Sequence, residues 1–258
     1  MIGSFFQSLD KLSVDYLLIS GQASVLYGAA TFSEDIDLWI RPTKENADAF
    51  LRALRISGAI YYKLTPSLAV QHLRNGHGFH FVLPTGETPA VYLDVMGRPP
   101  RVGSFDEALV EAKWMDTEWG RVHVIGIMGL VELKKTQRLE DYPIIGRLVL
   151  ARHSEGQPLP DSDWGMHNLF TLPELEEYLT VHAAAPVSSQ WPDALQQFAA
   201  AVRSNIDPPE ETRSEVNAWM QRRIQQCQRA DRVYWHPIIA ELRQLRSSGS
   251  LLEEGTPV

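Results

Sequence analysis

A pair of aspartates stands two residues apart inside an apolar run, in the segment Ser33–Ile40. Strands alternate their side chains between two faces, so Asp35, Asp37 and Trp39 are predicted to share one face while the isoleucines and leucine between them enter a core. Two neighbouring carboxylates repel each other unless a cation lies between them. Mg²⁺ typically takes one or two protein carboxylates and completes its shell with water and phosphate oxygens. The pair therefore predicts a strand that carries a divalent-cation site.

Two further features accompany the aspartate pair. Gly21 follows a predicted strand at residues 15–20 and is predicted to form a turn into a short helix over residues 22–27. Glycine lets the backbone approach a ligand closely, and the first N–H groups of a helix attract phosphate. Asp94 is a third candidate carboxylate on a predicted strand at residues 90–96, where a purely structural role is the alternative. A phosphate site beside a magnesium site suits a nucleoside triphosphate.

These residues carry a family resemblance. Gly21–Gly28, followed by Ser33–Leu38, resembles the signature of the polymerase-beta-like nucleotidyltransferase superfamily: a glycine followed by glycine or serine, a downstream Asp-x-Asp and a later lone aspartate on a strand. Within that superfamily the chain is most similar to the bacterial abortive-infection (AbiEii-like) nucleotidyltransferases. Leu133–Ile145, which carries lysine, arginine and then aspartate at the start of a helix, adds to the resemblance. The similarity extends over residues 15–150.

The resemblance implies a fold and an activity. The fold is α+β: a nucleotidyltransferase-type mixed β-sheet flanked by helices, followed by a C-terminal all-α domain. The activity is transfer of a nucleoside monophosphate from a nucleoside triphosphate to a hydroxyl acceptor, with Mg²⁺ as the cofactor and Mn²⁺ as an alternative. The acceptor implied is tRNA, a protein or a small molecule. The abortive-infection group also implies a toxin or phage-defence component with an antitoxin-type protein partner.

The resemblance also assigns roles to residues. Asp35, Asp37 and Asp94 would bind metal, and Asp94 would help to deprotonate the attacking hydroxyl. The implied nucleotide-binding residues are Gly21, Gln22, Ser24, Ser33, Lys134, Lys135 and Arg138. Lys134 or Lys135 would neutralise charge on the leaving pyrophosphate, and Arg138 could do so too. For Arg138 the alternative is an ordinary ion pair with Asp141, which would itself be a helix N-cap.

Two positions depart from the family pattern. Gln22 stands where a smaller residue is usual, and Thr31 stands where related proteins often have an arginine. Both departures favour, as the alternative reading, a catalytically inactive nucleotidyltransferase-fold protein that binds nucleotide or a protein partner. A glycosyltransferase, which also uses Asp-x-Asp with a divalent metal, is a weaker alternative. A solvated edge strand would explain an isolated aspartate pair.

Composition narrows the class of protein. The net charge of −8 argues against a broadly basic surface that coats nucleic acid. The single cysteine, Cys227, excludes an internal disulfide and fits a cytoplasmic location. The first residues predict an amphipathic helix rather than a signal peptide, and no segment is long and apolar enough to predict a membrane span.

The stretch Ser154–Asp163, which is rich in Gly, Pro, Ser and Asp, predicts a domain boundary. The predicted division is a catalytic domain at residues 1–153, a linker at 154–164, a helical domain at 165–250 and a flexible tail at 251–258.

Several individual elements are also predicted. A strand at 68–73 is joined by an Asn75-Gly76 turn to a strand at 78–83. His80, on the second of these, would face the aspartates if its strand neighbours theirs. Further helices are predicted at 128–138, 208–230 and 232–246.

Overall fold

The structure is a computed structural model that describes residues 2–84, 90–156, 163–182 and 190–258. The chain divides into two compact units. The first unit comprises Met1–Leu26, Ala30–Leu133 and Val233–Val258, and the second comprises Tyr27–Ala29 and Lys134–Arg232. Most of the predicted linker, residues 157–162, lies outside the described residues.

The first unit contains both strands and helices. Its strands are β1 (Tyr16–Ile19), β2 (Ile36–Ile40), β3 (Ile60–Tyr61), β4 (Thr65–Pro66), β5 (Gly78–Leu83), β6 (Val91–Met96), β7 (Lys113–Thr117), β8 (Gly120–Val124) and β9 (Leu251–Leu252). Its helices are α1 (Ile2–Lys11), α2 (Ser20–Leu26), α3 (Lys44–Ile56), α4 (Val70–Asn75), α5 (Phe105–Glu111) and α6 (Ile127–Leu133). The second unit contains α7 (Asp141–Ser154), α8 (Trp164–His167), α9 (Leu172–Val181) and α10 (Asp193–Arg203). The long helix α11 (Glu210–Ser247) contributes residues to both units.

Seven strands of the first unit form one mixed sheet in the order β3-β5-β6-β2-β1-β8-β7. The β2–β6 and β1–β8 pairs are parallel, and the other pairs are antiparallel. All four residues of β1 are buried, as a strand inside a sheet requires. β4 and β9 form a separate antiparallel pair.

The core of the first unit lies between one face of the sheet and helices α1 and α3. Phe50 of α3 has its ring centroid 6.2 Å from that of Phe5 in α1 and 6.4 Å from that of Phe81 in β5. β5 alternates buried and half-buried residues, so its Phe79 and Phe81 enter this core while His80 lies on the opposite face. The opposite face is therefore the one that can carry polar side chains.

The structure confirms the predicted fold class. The sheet is mixed and flanked by helices, and every regular element that the structure describes between residues 134 and 247 is a helix. Among the described residues, no helix combines the length and the apolarity that crossing a bilayer requires.

The strand predicted at residues 68–73 is wrong. Helix α4 occupies this segment, and Gly76 ends it in the left-handed conformation, with φ +87°. The N–H of Gly76 donates to the carbonyls of His72 and Leu73, so Asn75-Gly76 closes a helix and does not form a hairpin turn. The strand prediction rested on Asn75-Gly76 as a hairpin turn, whereas the glycine ends a helix.

Three helix predictions are corrected in length. The helix predicted at 128–138 is α6 and ends at Leu133. The helices predicted at 208–230 and 232–246 are one continuous helix, α11, which contains Pro237 in its interior.

The compact units differ from the predicted division into domains. Residues Val233–Val258 belong to the first unit, partly because Leu251 and Leu252 pair with β4. The prediction of a flexible tail took no account of this pairing, which joins segments far apart in sequence.

Candidate active site

The pairing of β2 with β6 brings Asp37 and Asp94 together. In this parallel pair Asp37 is the register partner of Asp94, so the two side chains lie next to each other on one face of the sheet. Their neighbours Leu38 and Val95 are fully buried. Two of the three predicted carboxylates therefore stand on adjacent strands, on the face opposite the core.

Asp35 lies just before β2 and is exposed. Partial burial raises the pKa of Asp35, and the negative charge of Asp94 raises it further, whereas the positive charge of Lys63 lowers it. Asp35 thus lies within electrostatic range of Asp94. A cation beside these carboxylates would relieve their mutual repulsion.

His80 of β5 extends this row of polar residues. It is the register partner of Asp94 in the antiparallel β5–β6 pair, and its Nδ1 lies 2.7 Å from Asp94 Oδ1. The strand of His80 neighbours a strand that bears a carboxylate, so the condition set by the sequence prediction is met. One oxygen of Asp94 is held by the imidazole, which fixes the orientation of the carboxylate.

Within the described residues, no group of three or more His, Cys, Asp and Glu side chains is arranged to hold a metal. A preformed cage of Asp35, Asp37 and Asp94 is therefore not observed. The adjacent carboxylates of Asp37 and Asp94 nonetheless supply the one or two protein ligands that Mg²⁺ typically takes, with water and phosphate completing the shell.

Removing one of the paired charges should alter stability in a cation-dependent way. Like charges directly opposite on neighbouring strands destabilise a sheet. Without divalent cation, Asp37→Asn is therefore expected to melt slightly above the wild type. Addition of Mg²⁺ should raise the wild-type melting temperature and leave that of Asp37→Asn unchanged. Calorimetry in EDTA and in MgCl₂ measures the melting temperatures of the two proteins. If Mg²⁺ raises both melting temperatures equally, the carboxylate pair is not a cation site.

A cavity of about 270 Å³ opens beside the carboxylates. Polar side chains of β2, β5 and β6, together with His77 just before β5, line one side, and apolar side chains from the second half of α11 line the other. The polar residues are Asp37, His77, His80 and Asp94, and the helix residues are Trp235, Ile238, Ile239 and Leu242. The cavity therefore has one charged and one apolar wall, which suits a ligand with both characters.

Glu241 fixes this part of α11 in the first unit. Its carboxylate accepts hydrogen bonds from the Asn75 side-chain amide at 3.0 and 3.1 Å. His77 Nε2, which is buried, lies 3.2 Å from Glu241 Oε2. Burial acts to raise the pKa of Glu241, but the Asn75 amide and the His77 imidazole together hold that pKa below its usual value. The apolar wall of the cavity is thus held by a charged contact at its edge.

The glycine motif is arranged differently from the prediction. Gly21 lies inside α2, and Ser20, with φ +60°, makes the sharp bend after β1. A Cβ added at Gly21 would overlap Ser33 Oγ and lie 2.9 Å from Ser33 Cβ. The Gln22 side-chain amide donates to the Ser33 carbonyl at 2.7 Å. Close packing against Ser33 therefore accounts for the glycine without a ligand.

Ser24, another predicted nucleotide-binding residue, is fully buried. Its Oγ donates to the Ser20 carbonyl at 2.8 Å, within the same helix. In this conformation its hydroxyl serves the helix and is not offered to a ligand.

Gly21→Ala should destabilise the protein by about 1–3 kcal/mol, because the added methyl collides with Ser33. Ser33→Gly in the same chain removes both colliding atoms and is expected to restore part of the loss. Urea unfolding of the single and double variants measures this. If Gly21→Ala proves as stable as the wild type, the packing explanation is wrong.

Lys134, Lys135 and Arg138 belong to the second unit. The Lys134 side chain is only 6% exposed, and its Nζ donates to Asp141 Oδ1 at 2.9 Å. Arg138 Nε and Thr136 Oγ1 donate to the other oxygen of Asp141, at 3.1 and 2.6 Å. The structure thus shows the pairing of Arg138 with Asp141 that the sequence left as the alternative.

The prediction that Asp141 acts as an N-cap is wrong. The residue at that position is Glu140, and the buried carboxylate of Asp141 instead binds Lys134, Thr136 and Arg138.

Three residues near the carboxylates were missed by the sequence argument. Tyr92 precedes Asp94 by two residues and shares its face, and its ring centroid lies 4.5 Å from that of Tyr62. Lys63 Nζ lies 5.0 Å from the Tyr62 ring. The alternation along β6 was the available signal for Tyr92. Nothing comparable pointed to Lys63, because β3 beside it is only two residues long.

Comparisons with known proteins leave the family open. No protein-family model matches the chain, and no curated protein matches it. Among solved structures, the crystal structure of ANT(2")-Ia in complex with adenylyl-2"-tobramycin matches with a TM-score of 0.34 and 11% sequence identity, covering 79% of this chain and 95% of that chain. A TM-score this low does not establish a shared fold.

Proposed function

We propose that this chain is a magnesium-dependent nucleotidyltransferase that moves a nucleoside monophosphate from a nucleoside triphosphate to a hydroxyl acceptor. The observation that supports the proposal most is the β2–β6 register, which sets Asp37 beside Asp94 with both side chains half-buried. Two adjacent carboxylates repel each other, and a cation beside them lowers that repulsion. Mg²⁺ carrying a triphosphate would be such a cation.

The three carboxylates would act together at the cation. Asp37 and Asp94 would hold it, and Asp35, which immediately precedes β2, would lie beside them. Bound Mg²⁺ would stabilise the negative charge on the transferred phosphoryl group and on the leaving oxygen. Because His80 holds Asp94 Oδ1, Oδ2 is the oxygen for the cation or for the proton of the acceptor hydroxyl.

The substrates are those that the family resemblance implies. We infer a nucleoside triphosphate as the donor, and tRNA, a protein or a small molecule as the acceptor. A toxin or phage-defence role with an antitoxin-type partner in the cytoplasm, and Mn²⁺ in place of Mg²⁺, are further parts of this proposal. They rest on the sequence resemblance.

Label transfer tests the activity and identifies the acceptor together. The protein is incubated with each α-³²P-labelled triphosphate and Mg²⁺, in separate reactions with total RNA, a protein extract and aminoglycosides. We expect label on one acceptor class from the wild type and none from Asp94→Asn. Label transfer that persists in Asp94→Asn would refute the assignment.

The inactive alternative also has structural support. Ser33 packs on the Gly21 backbone where a phosphate would approach, and the Lys134 ammonium is already paired with Asp141. A protein of this kind would bind a nucleotide or a protein partner yet transfer no label to any acceptor. Calorimetric binding combined with the label assay therefore separates the two functions.

A further inference from the structure

A second cavity, of about 640 Å³, lies at the carboxyl ends of β2 and β6. The nearest lining residue on β2 is Trp39, two residues after Asp37, so the cavity begins about 7 Å along the strand from that carboxylate and extends past Arg41. Its walls come from the residues that follow each strand and from α4 and α5. We call it the arginine groove, after the three arginines that line it, Arg41, Arg74 and Arg98.

The charge of Arg41 is already matched. Its Nε lies 2.7 Å from Asp15 Oδ2 and its guanidinium 2.5 Å from Asp106 Oδ1. These hydrogen bonds to aspartates raise the pKa of Arg41. The guanidinium also lies 4.8 Å from the Phe105 ring centroid. Arg41 therefore builds the wall and has little capacity left for a ligand.

Arg74 and Arg98 differ from Arg41 in the surroundings of their guanidinium groups. Arg74 Nε donates to the Pro42 carbonyl at 3.2 Å, which orients the guanidinium, and both side chains are exposed. Within the part of the chain that the structure describes, neither guanidinium has a carboxylate partner. Two uncompensated arginines at one cavity are notable in a chain of net charge −8.

The backbone that carries these arginines is fixed. The buried Trp39 indole donates to the Gly97 carbonyl at 3.0 Å, and the Tyr234 hydroxyl donates to the Arg98 carbonyl at 2.5 Å. Gly97 packs so closely on α4 that an added Cβ would lie 2.6 Å from Leu73 Cβ. A groove held in this way loses little conformational entropy when a ligand binds.

We propose that the arginine groove binds a small phosphorylated molecule. Guanidinium groups present a planar fork of donors that matches phosphate oxygens, and they remain charged at any physiological pH. The volume falls within the range of about 300–1,000 Å³ that small-molecule sites occupy. Asp106 at the rim and the acidic net charge oppose a long polyanion, which favours a small ligand over a polynucleotide.

The proposal is tested with inorganic pyrophosphate in EDTA, so that cation-dependent binding at the carboxylates does not contribute. Isothermal titration compares the full-length wild type with Arg74→Gln/Arg98→Gln. The matched control is Arg52→Gln/Arg55→Gln, which removes two exposed charges from α3 outside the groove. We expect one-site binding by the wild type and the control, and affinity weakened about tenfold or more in the groove variant.

Three outcomes would overturn the proposal: no binding by the wild type, equal binding by the groove variant, or equal weakening in the control. A second arm uses a single-stranded oligonucleotide without terminal phosphate. If it binds more tightly than pyrophosphate and depends on Arg74 and Arg98, the ligand is a polynucleotide and the small-molecule assignment is wrong. None of these results depends on the proposed nucleotidyltransferase activity.

Discussion

Asp37→Asn is expected to lose binding of Mg²⁺ with nucleoside triphosphate almost completely. The substitution preserves shape but removes one of two adjacent carboxylates, leaving Asp94 as the single charge at the register position. We expect affinity for the magnesium–triphosphate complex to fall about a hundredfold or more, and any transfer rate to fall about a thousandfold. Isothermal titration with each triphosphate in MgCl₂ measures the first, and the label assay measures the second.

The matched control is Asp116→Asn, an exposed aspartate on β7 of the same sheet. It removes the same charge away from the carboxylate pair, so it should bind the magnesium–triphosphate complex as the wild type does. A retained fold in both variants is checked by circular dichroism. Wild-type affinity in Asp37→Asn would show that the two carboxylates do not form the cation site.

Asp141→Ala is expected to cost the second unit about 3–5 kcal/mol of stability, because it leaves a buried ammonium without a counter-charge. The side chains of Lys134 and Asp141 are 6% and 2% exposed, and the carboxylate accepts three side-chain hydrogen bonds. Guanidinium-induced unfolding, followed by fluorescence, measures the loss of free energy.

Two further variants separate burial from charge. Lys134→Met/Asp141→Leu removes both charges and should lose clearly less stability than Asp141→Ala. Arg138→Gln removes the partner whose side chain is 58% exposed and should cost under about 1 kcal/mol. A loss under 1 kcal/mol in Asp141→Ala would show that the buried pair does not hold the unit together, and would leave Lys134 available for a phosphate role.

The strongest local patterns predicted the fold best. The apolar stripe of α1, the fully buried β1 and the alternation of β5 and β6 follow from the sequence because each depends on residues a few positions apart. α4 was missed because a helix cap at Gly76 resembles a hairpin turn in sequence. β3 and β4 are too short to show any period.

The candidate site divides in the same way. The sequence predicts Asp35, Asp37 and Asp94 as site residues, because carboxylates within apolar strands indicate a functional role. His80 entered only as a conditional neighbour. Lys134 and Ser24 match the family motif by residue type, but both side chains are buried. Burial, which the motif does not record, decides whether such a side chain can contact a ligand.

The sequence by itself determined the candidate carboxylates Asp35, Asp37 and Asp94, the strands β2 and β6, and the helical character of the described residues between 134 and 247. Tertiary structure alone decided that β6 pairs with β2 in the register that opposes Asp94 to Asp37, and that β5 brings His80 to Asp94. It alone placed the end of the chain against β4. The reason is that periodicity records only which face a residue takes, whereas register depends on contacts between segments distant along the chain.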